Sequence, residues 1–219
     1  MTPQAFTTKL VDAYQRARLP LYVNDKLYRG ESRSVASEIE DLLALYLVDN
    51  VPRIGSIRIN QPMCITVHGR RRTIKPDLVL FRDGEVRALV DLKMDLGYKR
   101  EEILKTFSQA SDRMLAMRGQ SATFWDGRSS SGGVRRTAAC AAAAVYIFVV
   151  VSDQNITQSA YSRAEAAARC DDALRLHTLL RGVHPNSHSL PAAEIKSRSQ
   201  PQLERTLADL TTEVANAVA

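Results

Sequence analysis

Hydrophobic positions repeat with different periods along the chain, and each change of period predicts a new element. Apolar residues recur every three or four positions over residues 3–18 and again over 34–48, which predicts two helices. Residues 54–93 alternate with a period of two and are rich in β-branched side chains, which predicts an antiparallel meander of strands. The helical period returns over residues 98–117, so the meander is expected to lie between helices.

The second half of the chain contains one strongly apolar segment. Residues 119–137 are rich in Gly and Ser, which predicts a flexible loop. The run "AAVYIFVVVS" that follows is continuously apolar, which predicts a strand buried on both faces. Two helices are expected after it, near residues 158–181 and 200–218.

Together these elements predict an α/β fold, with helices packed on both sides of a central mixed sheet. We expect residues 1–219 to form one domain, with its core at about residues 34–152 and additional helices at both ends. Hydrophobic residues make up 45% of the chain and charged residues 25%, which is ordinary for a globular protein. No apolar run is long enough to cross a membrane and the N-terminal segment lacks a signal-peptide pattern, so we expect no membrane partner.

Cysteine content and net charge narrow the expected location and partners. Three cysteines that lie far apart suit a reducing cytoplasm better than a disulfide framework, so we expect a cytoplasmic protein. The net charge of +6 permits an anionic partner such as nucleic acid. It does not require one, because many basic proteins bind no nucleic acid.

The segment "IKPDLVLFRDGEVRALVDLKMD" predicts a hairpin whose apolar runs are interrupted by charged residues. Asp91 and Lys93 share one face, because side chains alternate along a strand. A three-residue turn around Gly84 would set Asp77 directly opposite Asp91. A two-residue turn without a bulge would place the two acids on opposite faces. Opposed acids destabilise a strand pair unless a cation lies between them, and carboxylates are hard ligands that suit Mg²⁺. The alternative is a solvated outer face.

A third carboxylate is expected from the helix at residues 34–48. Its apolar stripe places Glu38 at the border of the core and turns Glu40 and Asp41 toward solvent. An acid at the border of a core needs a partner, so Glu38 is the predicted third ligand, with Glu40 and Asp41 left open as alternatives. The alternative is an acid that is simply favoured by the dipole of the helix N-terminus.

Pro76 and Asp77, followed 14 residues later by Asp91, Leu92 and Lys93, resemble the motif of the PD-(D/E)xK nuclease superfamily. The preceding helix with its Glu, the strands that hold the motif and the helix after them match the core of that fold. The resemblance covers roughly residues 34–115. It implies a restriction endonuclease-like α/β/α sandwich that hydrolyses phosphodiester bonds with Mg²⁺, for which Mn²⁺ substitutes.

The resemblance also implies a role for each residue of the motif. Asp77 and Asp91 would bind the metal together with the backbone carbonyl of Leu92, and Glu38 would bind it directly or through water. Lys93 would position or activate the attacking water and stabilise the charge of the transition state. We expect a DNA endonuclease of restriction, defence or repair type, although the motif does not distinguish DNA from RNA.

Several residues outside the motif are candidates for contact with nucleic acid. Gln109 is followed four residues later by Arg113 instead of the Tyr found in RecB-like exonucleases, which favours an endonuclease. Phe124 and Trp125 lie in the predicted loop, where they would either stack on bases or dock on the domain. The cationic candidates are Arg70, Arg71, Arg72 and Lys75 at a predicted hairpin tip, and Lys99 and Arg100 before the next helix.

Two other hypotheses stay open. One is a catalytically inactive module of the same fold that binds nucleic acid or protein, and the other is an unrelated α/β protein with an accidental motif. Divalent-metal binding that depends on Asp77 and Asp91 separates them from the nuclease. Because cutting both strands with one site per chain requires two copies, the nuclease hypothesis includes a homodimer.

Overall fold

The computed structural model describes residues 1–22, 26–27, 29, 31–96, 102–126 and 133–219. Within these residues a mixed β-sheet lies between two layers of helices, which makes the fold α/β. The helices are α1 (Pro3–Ala17), α2 (Ala36–Asn50), α3 (Ile103–Met117), α4 (Gln158–Cys170) and α5 (Ala192–Ala217). The strands are β1 (Ser56–Ile59), β2 (Met63–Val67), β3 (Arg70–Ile74), β4 (Leu78–Arg82), β5 (Glu85–Lys93), β6 (Ser121–Asp126), β7 (Val134–Ser152) and β8 (Leu174–Leu180).

Strand β7 is the centre of the sheet and pairs with three other strands. The order across the sheet is β1–β4–β5–β7–β6–β2–β3, and β8 also pairs with β7. The second half of β7 runs parallel to β5 and β8, whereas its first half pairs antiparallel with β6. A parallel strand between two neighbours is buried on both faces, which explains the continuous apolar run in this part of the sequence.

The sheet separates two hydrophobic cores. Helices α1, α2 and α5 pack on one face and α3 and α4 on the other. Strand β5 supplies both cores alternately, with Val90 and Leu92 facing the first and Leu89 facing the second. In the second core Phe148 stacks on Phe107, with ring centroids 4.7 Å apart. None of the described helices is long and apolar enough to span a membrane.

Helices α1, α2 and α3 occupy the predicted helical segments, but the strands between them do not form a simple meander. Strand β1 pairs with β4, whereas β2 and β3 pair with each other and reach the sheet through β6, at its other end. The basic segment that was predicted as a hairpin tip is strand β3, and the tip is the turn at His68 and Gly69. The alternation of apolar and polar residues within a strand can be predicted from the local sequence. Which strands pair with each other cannot be predicted in this way, because pairing depends on distant parts of the chain.

The structure also differs from the sequence-based expectation after residue 118. Instead of a loop over 119–137, residues 121–126 form β6 and residues from 134 onward belong to β7, while 127–132 lie outside the described residues. Only the centre of that segment is rich in Gly and Ser. On its flanks Ala122, Phe124 and Ala138 are buried at alternate positions, as a strand requires.

In the C-terminal part the first helix is shorter than expected, and one additional strand follows it. Helix α4 ends at Cys170, and residues 174–180, predicted as helical, form strand β8 along the edge of β7. Helix α5 begins at Ala192, well before the predicted start near residue 200, and it contains Pro201. A proline within a helix removes one backbone hydrogen bond, but the buried face of α5 continues on both sides of it.

The β4–β5 hairpin sets the position of the charged residues. Its turn has two residues, Asp83 and Gly84, both with positive φ as a type I′ turn requires. Of the two turns considered from the sequence, the structure therefore has the two-residue one. A bulge follows, because Phe81 pairs with Val86 but Leu80 pairs with Ala88, so that Arg87 is the extra residue.

The bulge changes the register of the rest of the hairpin. Beyond it Leu78 pairs with Val90, and one further residue in this register sets Asp77 opposite Asp91. The two-residue turn alone would have placed the acids on opposite faces. The turn and the bulge together produce the facing arrangement that a three-residue turn would have given.

We expect Gly84→Ala to destabilise the protein by about 1–2 kcal/mol. The turn requires a positive φ at this position, and a residue that has a Cβ adopts a positive φ only at this energetic cost. The φ of Gly84 is 79°, and a Cβ there would meet no atom within 4 Å, so the cost is one of backbone conformation and not of a clash. Urea unfolding monitored by circular dichroism measures the difference.

Gly84→Asn is the matched control, since Asn tolerates this conformation better than Ala. Equal stabilities of Gly84→Ala and the wild type would contradict the turn geometry.

Candidate active site

Three charged residues of the β4–β5 hairpin lie together at one end of the two strands. Asp77 directly precedes β4, and Asp91 and Lys93 lie at the end of β5. By strand alternation they project on the same face as Val79 and Leu89, which belong to the core beneath α3. All three side chains are half-buried, so the alternative of a solvated outer face does not describe them.

Both acids accept hydrogen bonds from neighbouring groups of the hairpin. The backbone N–H of Leu92 donates to Oδ2 of Asp77 at 2.6 Å, across the two strands. Lys93 Nζ donates to Oδ2 of Asp91 at 3.1 Å on the same strand. Because the side chain of Asp91 is 19% exposed and that of Lys93 is 36% exposed, this ion pair is partly shielded from water.

The electrostatics of the site are dominated by negative charge. Burial raises the pKa of Asp77, and the charges of Asp91 and Glu40 raise this pKa further. The Leu92 N–H and Lys93 act in the opposite direction but do not cancel these effects. Within the described residues, Lys93 therefore leaves the three carboxylates incompletely compensated.

The helix-borne acid at the site is Glu40, not the predicted Glu38. Glu40 is 7% exposed, and Asn60 Nδ2 donates a hydrogen bond to its Oε2 at 2.5 Å. The backbone N–H of Asn60 also donates to the carbonyl of Asp77 at 2.7 Å, so Asn60 joins α2 to the start of β4. Glu38 is exposed and forms an ion pair with Arg16 of α1 instead.

This correction has a simple cause. The sequence analysis assumed that one apolar stripe of α2 faces the core and that Glu40 and Asp41 face solvent. In the structure Asp41 is exposed as expected, but α2 packs against both the core and β1, so that a wider part of its surface is covered. Glu40 lies on the part that faces the β1–β2 connection.

Tyr146 and Arg113 extend the site on the side of α3. Burial raises the pKa of Tyr146, and so do the charge of Asp91 and a hydrogen bond from the tyrosine hydroxyl to it. Arg113 is close enough to Tyr146 to lower this pKa. A hydroxyl that donates to Asp91 orients the carboxylate from the neighbouring strand β7.

The residue types at the site fit a hard divalent cation, although their side chains are not arranged around one. Among the described residues no group of three or more His, Cys, Asp or Glu side chains is close enough to hold a metal. Asp77, Asp91 and Glu40 are nevertheless oxygen donors of the kind that Mg²⁺ prefers. Burial and the repulsion from Asp91 and Glu40 raise the pKa of Asp77, and a cation between the acids would offset both effects. The Leu92 carbonyl stays a prediction as a further ligand.

The basic candidates that the structure describes do not join the acids. Arg70, Arg71 and Arg72 are exposed on β3, and three strands separate β3 from β5. Lys75 is exposed after β3, and Lys99 and Arg100 lie outside the described residues. Gln109 is exposed on α3, where its backbone carbonyl accepts a hydrogen bond from Arg113 Nε.

Asn60 and Tyr146 were missed by sequence reasoning although each had a local signal, and Glu40 was ranked behind Glu38. Asn60 has a φ of 53°, and Asn followed closely by Pro62 at the end of a strand is typical of such a conformation. Tyr146 lies in an otherwise apolar buried strand, where its hydroxyl needs a partner. Glu40 had no such signal, because its burial depends on the packing of α2.

Comparisons with known proteins place this chain in no family. No protein-family model matches it, and no curated protein is similar to it in sequence. Among solved structures it is similar to protein VC1899 from Vibrio cholerae, with 10% sequence identity and a TM-score of 0.46. The match covers 99% of this chain and 52% of that one, so the chain spans about half the length of VC1899.

We expect Asp77→Asn to stabilise the protein at neutral pH. The amide removes the repulsion with Asp91 and Glu40, and its oxygen still accepts the hydrogen bond from Leu92. Because the pKa of Asp77 is raised on folding, the folded wild type binds a proton at higher pH than the unfolded chain does. The advantage of the variant should therefore shrink as the pH falls through this raised pKa.

Urea unfolding of both proteins at neutral pH and near pH 4, about the ordinary pKa of Asp, measures this difference. Asp112→Asn makes the same chemical change on the exposed face of α3 and serves as the control. A destabilised Asp77→Asn protein, or an advantage that does not depend on pH, would contradict the charge argument.

Proposed function

We propose that this chain is a divalent-metal-dependent nuclease of the restriction endonuclease-like fold, which hydrolyses phosphodiester bonds in nucleic acid. The observation that supports the proposal most is the register of the β4–β5 hairpin, which sets Asp77 opposite Asp91 with Lys93 beside them. The Pro-Asp and Asp-Leu-Lys motif of the sequence thereby forms a single cluster on one face of the sheet.

The energetics of the cluster favour a functional role over a structural one. Two carboxylates on facing positions repel each other, and apolar residues in their place would extend the core beneath α3. Burial of Asp77 adds to the cost and raises its pKa. Groups with perturbed pKa values that cluster in this way are concentrated at functional sites.

Each residue then has a role that its chemistry suits. Asp77, Asp91 and Glu40 would hold Mg²⁺ or Mn²⁺, with Glu40 in the role that the sequence analysis assigned to Glu38. When bound, the cation supplies a Lewis acid that polarises the phosphate and acidifies water. Lys93 orients the attacking water and offsets the negative charge that grows on the phosphate. Tyr146 holds Asp91 in place through its hydroxyl.

We expect the purified protein to nick supercoiled plasmid DNA in Mg²⁺ or Mn²⁺ and to lose this activity in EDTA. Asp77→Asn and Lys93→Ala should each lower the cleavage rate by about 10²–10⁴-fold, the range for loss of a single electrostatic or general-base contribution. Agarose gels of plasmid, with single-stranded DNA and RNA assayed in parallel, follow the reaction. Linear product at early times would indicate a dimer that cuts both strands.

The matched controls are Asp112→Asn and Lys105→Ala, which remove the same charges from exposed positions of α3. No cleavage of any of the three substrates by the wild type would exclude the nuclease and leave the inactive binding module. Metal-dependent cleavage that survives both active-site substitutions would show that another site or a contaminant is responsible.

We also expect Glu40→Gln and Glu38→Gln to differ sharply, although the two residues lie only half a turn apart on α2. Loss of the buried carboxylate should weaken Mn²⁺ binding about tenfold or more and lower cleavage with it, since second-shell and ligand changes at metal sites have effects of this size. Loss of the exposed carboxylate should change neither. Calorimetric titration of Mn²⁺ into each protein measures the binding.

Gln has the same size as Glu, and its amide oxygen can still accept the hydrogen bond from Asn60 Nδ2. The comparison therefore isolates the effect of the negative charge. Equal Mn²⁺ affinities of Glu40→Gln and the wild type would remove Glu40 from the site. Weaker binding by Glu38→Gln instead would restore the assignment made from the sequence.

A further inference from the structure

Four neighbouring strands extend beyond the layer formed by α1, α2 and α5: β3, β2, β6 and the first half of β7. Inward-facing side chains of this group, such as Met63, Ile65 and Phe124, belong to the core beneath α3. The core beneath α1, α2 and α5 contains no residue of β2, β3 or β6. In the described part of the chain, the other face of these strands is therefore not covered by a helical layer.

We call this surface the open face. It contains a shallow cavity of about 390 Å³. The outward-facing residues that line it are Cys64, Arg71, Thr73, Thr123, Trp125 and Arg135. Cys64, Thr73 and Thr123, which complete this lining, have small side chains. The face is therefore flat enough for an extended ligand chain to approach the backbone of the strands. None of the residues described around the cavity is acidic.

Trp125 is the most unusual residue of the open face. Its neighbour Phe124 points inward, is buried, and packs against Phe81 with ring centroids 5.5 Å apart. Trp125 points outward and is 51% exposed. A large aromatic ring that is half exposed on a strand, beside small polar residues, has surface available for a planar ligand.

The open face is positively charged, and the described acidic residues do not neutralise this charge. Arg135 lies directly opposite Trp125 in the β6–β7 ladder, and Arg71 lies on β3. The only acid of β6, Asp126, points inward and pairs with Arg58 and Arg136. Within the described residues neither Arg71 nor Arg135 takes part in an ion pair, so both remain available to an anion.

We propose that the open face binds single-stranded nucleic acid, with Trp125 stacked on a base and with Arg71 and Arg135 in contact with phosphates. Single-stranded nucleic acid presents free base faces and a negatively charged backbone. An exposed aromatic ring can stack on the bases, and cationic side chains can contact the phosphates. A duplex offers no free base face to Trp125. The inference rests on the proposed function only in that the bound strand would be the one that the acidic site cleaves.

Trp125 is the single tryptophan of the chain, so its fluorescence reports this contact directly. We expect a 20-nucleotide oligo(dT) or oligo(U) to quench the fluorescence of the wild type in EDTA, where no metal-dependent cleavage occurs. Trp125→Ala should weaken binding of a labelled oligonucleotide by about 5- to 100-fold, as loss of one base–aromatic stack does. Trp125→Phe should retain most of the affinity, because Phe also stacks.

The arginines are tested through the salt dependence of binding. Arg71→Ala and Arg135→Ala should each reduce the slope of log affinity against log salt concentration by about 0.7, the value for one phosphate contact in a single strand. Arg163→Ala, which removes an exposed arginine from α4, is the control and should leave the slope unchanged. Circular dichroism spectra show that each variant is folded.

Absence of quenching by both oligonucleotides would overturn the proposal, and so would equal affinities of Trp125→Ala and the wild type. Tighter binding of a duplex of the same length, independent of Trp125, would also overturn it. Quenching by one oligonucleotide alone would support the proposal and identify the strand as DNA or RNA. Because binding is measured without metal, its failure is distinct from a failure of cleavage, which would reject the nuclease and leave the open face as a binding surface.

Discussion

The position of one extra residue in a β-hairpin determines whether this protein has a charged site at all. Without the bulge, Arg87 would pair with Leu80, the register set by the two-residue turn would continue, and Asp77 would lie opposite Val90. Asp77 and Asp91 would then project on opposite faces of the sheet. The bulge moves both acids and Lys93 onto the face beneath α3, within reach of Tyr146.

The surrounding fold compensates for only part of the charge of the site. Asp91 is held by Lys93 and by the hydroxyl of Tyr146, whereas Asp77 accepts a single backbone hydrogen bond from Leu92. Glu40 is buried nearby against Asn60. The remaining negative charge destabilises the folded chain, and it would provide the affinity for the proposed cation, so the same arrangement would lower stability and favour binding.

Local patterns predicted the parts of this structure that depend on neighbours in sequence. The helices α1 to α3, the buried strand and the alternation of Asp91 with Lys93 are all visible in periods of a few residues. Strand β8 is not, because "LRLHTLL" becomes a strand by pairing with the edge of β7. The same limit explains the choice of Glu38 over Glu40, since the burial of Glu40 depends on a second surface packed against α2.

Strand β7 relates the acidic site to the open face. Arg135 and Tyr146 lie eleven residues apart on this strand, which is at most about 36 Å at about 3.3 Å per residue, because the register of β7 against β5 shifts between them. Their side chains point to opposite faces, because Tyr146 belongs to the core beneath α3 and Arg135 does not. A nucleic acid that touched both would have to bend around the sheet over this short distance. A single strand does so readily, whereas a duplex with a persistence length of about 150 base pairs does not. The geometry thus gives a second reason, independent of Trp125, to expect that a nucleic acid which reaches the open face is unpaired there.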